Sequence, residues 1–347
     1  MRRIVAITLI LLCSVLQANA WGNRGHELVA YIAYMNLDAQ TKAKVDDLVQ
    51  RNPCIGQWKA AVKTLPPAQG SVALFMLAAT WPDKIKLTAP QSTTPYNCPH
   101  HPTFTTKDGA NGPDGRFSAD IPPDIPEASQ NIGYTDDRRH QYWHFIDLPI
   151  SGDGTKTQPA NSPNVLTELV LLTKALNSNE DPQLRSYDMV WIEHLTGDIH
   201  QPLHDAQRFT KALPNGDAGG NLVHICSGGQ KCRRELHADW DGLPGSNGTL
   251  SAVMKQGSTL NAQTPPSAAT IDIDHPEKWA DDAKALAETD VYAAPFNTSA
   301  ATVDPAKIPA KYHTKAMEDM RAQVYIAGIR LATLLNDGLK SYTIPKS

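Results

Sequence analysis

The sequence predicts a mainly α protein built as a single helical domain with long irregular loops. Three observations predict it. Apolar residues recur at helical spacing in several stretches, strong helix-start signals precede two of them, and the alternation of a half-buried strand is scarce. The 347 residues are 41% hydrophobic and 20% charged, which excludes collagen, a coiled coil and wholesale disorder.

Taken in order, residues 1–20 (MRRIVAITLILLCSVLQANA) read as a cleavable export signal. Arg2 and Arg3 give a basic start, Ile4 to Leu16 an apolar stretch too short for a comfortable membrane span, and Ala18-Asn19-Ala20 a small-x-small cleavage site. Bulky Leu12 argues against a lipoprotein site at Cys13. The expected mature domain covers 21–347, with Trp21 first, in a secreted or periplasmic protein. Helices are expected over 26–36 and 71–81, the second ended by Pro82. Residues 95–136, rich in Pro, Gly, Asp and Thr, read as a long surface excursion, and 151–162 and 262–276 as shorter loops. Ser162-Pro163 reads as a cap and first-turn proline before Leu166, Leu169, Val170 and Leu176. Asp181-Pro182 repeats that signal and opens a helix through Tyr187, Val190, Trp191 and His194. Met317, Met320, Val324, Ala327, Leu331 and Leu335 then form one apolar stripe, with Gly338 as its stop.

Four cysteines follow the leader: Cys54, Cys98, Cys226 and Cys232. An even number in an exported chain suggests two disulfides. Cys226–Cys232 is the natural short loop and leaves Cys54–Cys98, although three pairings exist; a zinc site ranks lower because no C-x-x-C spacing occurs. Asn247-Gly-Thr249 and Asn297-Thr-Ser299 fit the glycosylation pattern. The net charge is −4, and removing residues 1–20 takes away two arginines, so no basic surface proposes itself for a phosphate backbone. A nucleic-acid ligand would need another source of positive charge.

The densest signal is His194-Leu-Thr-Gly-Asp198-Ile-His200-Gln-Pro-Leu-His204. On a helix, His194 and Asp198 share a face with Cβ atoms roughly 5–6 Å apart, which suits one ion taking a nitrogen and an oxygen. His204 lies at the wrong angle for that face, and Pro202 should break the helix before it, so it can serve a second ion. Gly197 costs about 1 kcal/mol against Ala inside a helix, which suggests that another backbone or a metal passes close by. His237 and Asp241 repeat the spacing. Either pair alone is most often a solvated helix face; together they point to metal. Trp81-Pro-Asp83 adds a carboxylate, Trp143-His144-Phe145-Ile146-Asp147 adds an imidazole among apolar residues, and cleavage before Trp21 would expose an α-amine five residues from His26.

The ordered set WGNRGH, WPD, WHFID, HLTGDIHQPLH, GDAGGN and HADWD, from Trp21 to Asp241, resembles the zinc-dependent single-strand-specific nucleases and 3′-nucleotidases of the nuclease S-one/P-one type. That resemblance implies a mainly helical fold with a trinuclear zinc cluster in a cleft. By motif, Asp83, His144, His194 and Asp198 would hold the first zinc, and His204, His237 and Asp241 the second. Trp21 and His26 would hold the third, with Asp198 bridging first and third. It further implies endonuclease action on single-stranded DNA and RNA, giving 5′-phosphates, together with 3′-nucleotidase activity. Asp83 would orient the attacking water, Phe145 would stack on a base, and Asp147 would bond the base edge. Lys86 stands where many members carry an Arg, which keeps a point charge for phosphate but removes the bidentate fork. Three zinc ions would supply the cationic charge that the side chains lack. The GDAGGN run, around Asp217 to Asn221, is expected to shape a tight backbone near the metals.

Two other readings make different predictions. A zinc phospholipase C shares H-x3-D-x5-H but typically ends the set with a Glu and spaces its Trp and first His more widely; Asp241 and the short Trp21–His26 gap favour the nuclease. A secreted zinc-binding protein without turnover would hold metal and hydrolyse nothing.

Overall fold

A computed structural model describes residues 21–86, 126–135, 140–178, 181–226, 234–245 and 248–346. Residues 1–20, the loop stretch 95–125, Cys98, Cys232, the Asn247 sequon and the Lys86 side chain lie outside the described residues. In chain order the helices are α1 (Asn23–Asn36), α2 (Ala39–Val49), α3 (Ile55–Val62), α4 (Gly70–Ala78), α5 (Trp81–Lys86), α6 (Val165–Leu176), α7 (Pro182–Asp198), α8 (Leu236–Asp241), α9 (Leu250–Asn261), α10 (Ala268–Ile271), α11 (Pro276–Leu286) and α12 (Ala310–Gly338). Strands β1 (Leu148–Ile150) and β2 (Ala206–Arg208) pair in parallel with Leu148 opposite Ala206. Strands β3 (His224–Ile225) and β4 (Thr302–Val303) form a second short parallel pair. The protein is mainly helical and forms a single domain, as the patterning predicts.

Helix α12 carries the predicted stripe: Met320, Val324, Ala327, Leu331 and Leu335 are buried, and the helix packs along α1. Gly338 lies in its last turn against Leu176 of α6. Helix α7 starts as predicted, with Pro182 in its first turn and the Asp181 side chain accepting the Gln183 N–H at 2.7 Å. The start of α6 differs. Ser162-Pro163 lies before the helix, and Asn164 is the cap, its side chain taking the Thr167 N–H while the Thr167 hydroxyl accepts the Asn164 N–H. This reciprocal box satisfies two otherwise orphaned donors, which Ser162 is too far upstream to do.

Pro82 does not end the predicted 71–81 helix. Helix α4 stops at Ala78, and Pro82 sits inside the first turn of the separate α5, where a missing N–H costs nothing. The segment 126–135 also departs from a plain surface excursion. Tyr134 is buried between Trp81 and Tyr187 and bonds both Asn52 and Ser186. Within the expected loop 262–276, Ala268–Ile271 form the single turn α10, capped by Ser267.

Two apolar clusters organise the interior. The larger gathers α1, α2, α4, α6, α7 and α12 around Trp191; the smaller gathers Leu203, Leu236, Trp240, Tyr292, Phe296 and Tyr312. Helix α7 ends in the first, and Leu203 opens the second. The histidine-rich motif therefore crosses the seam between them. Among the described residues, no helix is long and apolar enough to cross a membrane.

Candidate metal centre

Helix α7 presents His194 and Asp198 one turn apart, both fully buried. The α4–α5 break leaves the Ala79 carbonyl exposed to this helix, and His194 Nδ1 donates to it at 2.7 Å. That bond fixes the tautomer, so His194 Nε2 turns its lone pair toward Asp83 Oδ1 at 3.5 Å and Asp198 Oδ2 at 3.3 Å. His144, at the end of a short turn of helix over 141–144, brings Nδ1 to 3.0 Å from the same nitrogen and 2.9 Å from Asp198 Oδ2.

His26, on α1, lies flat on His194 with ring centroids 3.9 Å apart. Its Nε2 stands 3.3 Å from Asp198 Oδ1 and 3.8 Å from Asp83 Oδ2. Gly197 makes this approach possible: a Cβ there would fall 2.7 Å from His26 Nδ1. The close neighbour that the sequence leaves open as backbone or metal is thus an imidazole. Each of the two carboxylates offers one oxygen toward His26 and the other toward His194, Asp198 at 3.3 Å from both and Asp83 at 3.8 and 3.5 Å, so Asp198 is the better placed to span two ions. The motif reading gives that role to Asp198.

The second group forms beyond α7. The helix ends at Asp198, four residues before Pro202, so the proline follows the break rather than making it. Gln201 shapes the turn: its Oε1 accepts the Leu203 N–H at 2.6 Å and its Nε2 donates to Asp241 Oδ1 at 2.7 Å. His204 Nδ1 then donates to the His144 carbonyl at 2.6 Å, and His237 Nδ1 to the Gly219 carbonyl at 2.7 Å. Both protons being spent on carbonyls, the two Nε2 atoms face each other as lone pairs at 3.2 Å, with Asp241 Oδ2 3.4 Å from His237 Nε2.

Acceptors gathered in this way inside a protein repel unless a cation joins them. In tetrahedral coordination with bonds of about 2.0–2.1 Å, ligand atoms stand about 3.3–3.4 Å apart, and spacings here of 2.9 to 3.8 Å bracket that value. Three such sets occur among the described residues: His26, His194 and Asp198; Asp83, His144 and His194; and His204, His237 and Asp241, each with its donor atoms within 4.8 Å of one another. The donor set therefore fits divalent cations. Eight of the nine ligands read from the motifs converge through their side chains. The ninth, Trp21, is fully buried; its Cβ leaves no room for one on Gly25, and Gly22 N–H bonds the Asp241 carbonyl at 3.1 Å, which holds the segment beside both groups.

Phe145 follows His144 in extended backbone, and Asp147 sits in a tight turn closed by the Leu148 N–H on the Ile146 carbonyl at 2.8 Å, just before β1; both are half-buried. Burial, then the neighbouring Asp217 charge, raises the Asp147 carboxyl to about 7. Lys86 ends α5 three residues after Asp83. Sequence reasoning missed Ala79, Gln201, Arg208 and Tyr292, which act through bonds to ligands or to the segments that hold them. Only Gln201, inside the histidine motif, carried any local signal.

The chain matches the S1/P1 Nuclease family over residues 21–340. It is also 24% identical to Nuclease S1 of Aspergillus oryzae (strain ATCC 42149 / RIB 40), an alignment covering 97% of this chain and 98% of that protein. Fold, buried ligand groups and near-complete coverage agree: the chain belongs to the S1/P1 nuclease family, as a metal-dependent phosphodiester hydrolase acting on nucleic acid.

Proposed function

We propose that this protein is a zinc-dependent endonuclease that cuts single-stranded DNA and RNA to 5′-phosphate products and also dephosphorylates 3′-nucleotides. The observation that carries this reading is the side-by-side burial of three nitrogen- and oxygen-donor groups, the first two of which share His194. Imidazole and carboxylate donors without sulfur suit zinc; His194 has one lone pair for one ion, so His26 with Trp21 and an Asp198 oxygen would hold the third. When bound, zinc supplies an activated water near neutral pH and positive charge for the phosphate and the leaving oxygen.

The chain's own residues do the rest. Asp83 and Asp198 each turn one oxygen toward His26 and the other toward His194. Both would hold the first ion with His144 and His194, Asp198 would also reach the third, and Asp83 would orient the attacking water. Phe145 offers a half-buried ring beside His144 for an unpaired base, and stacking of this kind is worth about 1–3 kcal/mol per base. Asp147, raised to about 7, can present an O–H as well as a carbonyl oxygen to a base edge. A duplex has to unpair a base before it can stack on this ring, which gives the single-strand preference. Lys86 supplies a point charge for a phosphate oxygen.

Export follows the leader reading: residues 1–20 are removed, Trp21 gains its free amine, the protein is secreted or periplasmic, and the four remaining cysteines pair. The family match beginning at Trp21 supports that boundary. The test is metal analysis of the mature protein beside assays on single-stranded DNA and RNA, duplex DNA and phosphatidylcholine. Three zinc ions per chain and preferential single-strand cleavage are expected. Zinc with hydrolysis of phosphatidylcholine alone, or of nothing, would overturn the proposal.

A further inference from the structure

Tyr292 stands outside every motif, in the turn that follows α11, yet its hydroxyl reaches the GDAGGN run. It donates to Asp217 Oδ2 at 2.8 Å, and both residues are buried. The other carboxylate oxygen accepts the Arg208 N–H at 2.9 Å, and the Gly220 N–H donates to the same group. Several donors from distant segments thus fix one carboxylate inside the protein. The turn it holds needs fixing: Ala218, Gly219 and Gly220 run in succession at φ of 52°, 58° and 81°. Backbone of this kind keeps its shape only where its surroundings dictate it.

That turn touches the His237 imidazole and the backbone that leads into His204. The Gly219 carbonyl is the acceptor for His237 Nδ1, and a Cβ at Gly219 would lie 2.4 Å from the carbonyl oxygen of Leu203, the residue before His204. We infer that Tyr292 and Asp217 are positioning residues for the metal site of His204, His237 and Asp241: the hydroxyl fixes the carboxylate, the carboxylate fixes the turn, and the Gly219 carbonyl sets the tautomer and angle of His237. The inference rests on the metal-binding reading above. Arg208 keeps its guanidinium 4.1 Å over the Tyr292 ring, so removing the hydroxyl alone leaves the ring packed.

The experiment uses the full mature protein and its Tyr292→Phe and Asp217→Asn variants, dialysed against graded free zinc, with zinc counted per chain. Tyr292→Phe should need about tenfold more free zinc to fill one of its sites while the others fill as in the parent, the usual scale for a lost outer partner of a ligand. Asp217→Asn should move the same site further; should it fail to fold, Tyr292→Phe carries the test. Tyr325→Phe is the control: its hydroxyl donates to the Gln263 carbonyl at 3.1 Å, away from the turn, and it should keep the parent's zinc curve even with a lower Tm. Unchanged zinc curves in Tyr292→Phe, or equal weakening of every site, would overturn the inference. A parent that binds no zinc would overturn the proposed function itself, and this inference with it.

Discussion

Gly197 is the residue at which the site tolerates least. Alanine is the better helix former by about 1 kcal/mol, so on propensity alone Gly197→Ala should stabilise α7. Its methyl, however, would meet His26 Nδ1 at 2.7 Å and push the ring off its stack with His194. Overpacking of this kind costs about 1–3 kcal/mol, so the two effects nearly offset in stability while the His26 donor is displaced. Gly197→Ala should therefore keep a Tm near the parent's, yet lose at least tenfold in kcat/KM on single-stranded DNA. Parent-like kcat/KM would show that His26 does not depend on this approach. The cost of the glycine was legible in the sequence. The identity of its neighbour was not, because His26 reaches it through the packing of α1 on α7, and no local pattern encodes a contact between segments so far apart.

Helix α7 shows what an element needs in order to hold metal ligands at its last turn. Its end is tied to the C-terminal helices through His200, whose Nδ1 donates to the Thr196 carbonyl at 2.7 Å and whose Nε2 accepts from Arg330 at 2.7 Å. The same guanidinium donates to the carbonyls of Thr270 and Ile271 and lies 4.8 Å over the Trp279 ring. One planar fork thus joins α7, α10, α11 and α12. Lysine keeps the charge but cannot make three divergent bonds, so Arg330→Lys should lower unfolding stability by about 2 kcal/mol, read as a lower urea midpoint at unchanged slope. An unchanged midpoint would sink the idea of a latch. The start of α7 and the α12 stripe were legible because caps and periodicity are local physics, whereas the α6 cap was read two residues early. The split between α4 and α5 was not: Pro82 carries the same signal whether it ends one helix or opens the next, and the break goes with a contact from a distant segment, the His194 bond to the Ala79 carbonyl.

At the scale of the whole molecule, metal and protons should pull stability in opposite directions. Burial raises the Glu168 carboxyl to about 8 against the Thr167 hydroxyl bond that lowers it, and raises Asp147 to about 7. A carboxyl raised on folding binds its proton more tightly in the native state than in the unfolded chain. Its stabilising contribution is therefore complete below the unfolded value and is lost as pH climbs to the folded one. Buried His200 acts the other way, since burial, then the Arg330 charge, holds it well below its ordinary value; its contribution is complete once pH passes about 6.5. Between about pH 6.5 and 8 the carboxyls therefore govern, and the metal-free protein should lose of order 1–2 kcal/mol. The zinc-loaded protein should move oppositely, because fewer protons compete for the ligand imidazoles and tighter binding stabilises the native state. Calorimetry of both forms across that window should show a falling Tm without metal, a steady or rising Tm with it, and a shallower metal-free slope in Glu168→Gln. Parallel curves for the two forms would mean that the buried histidines and carboxylates do not meet at bound cations.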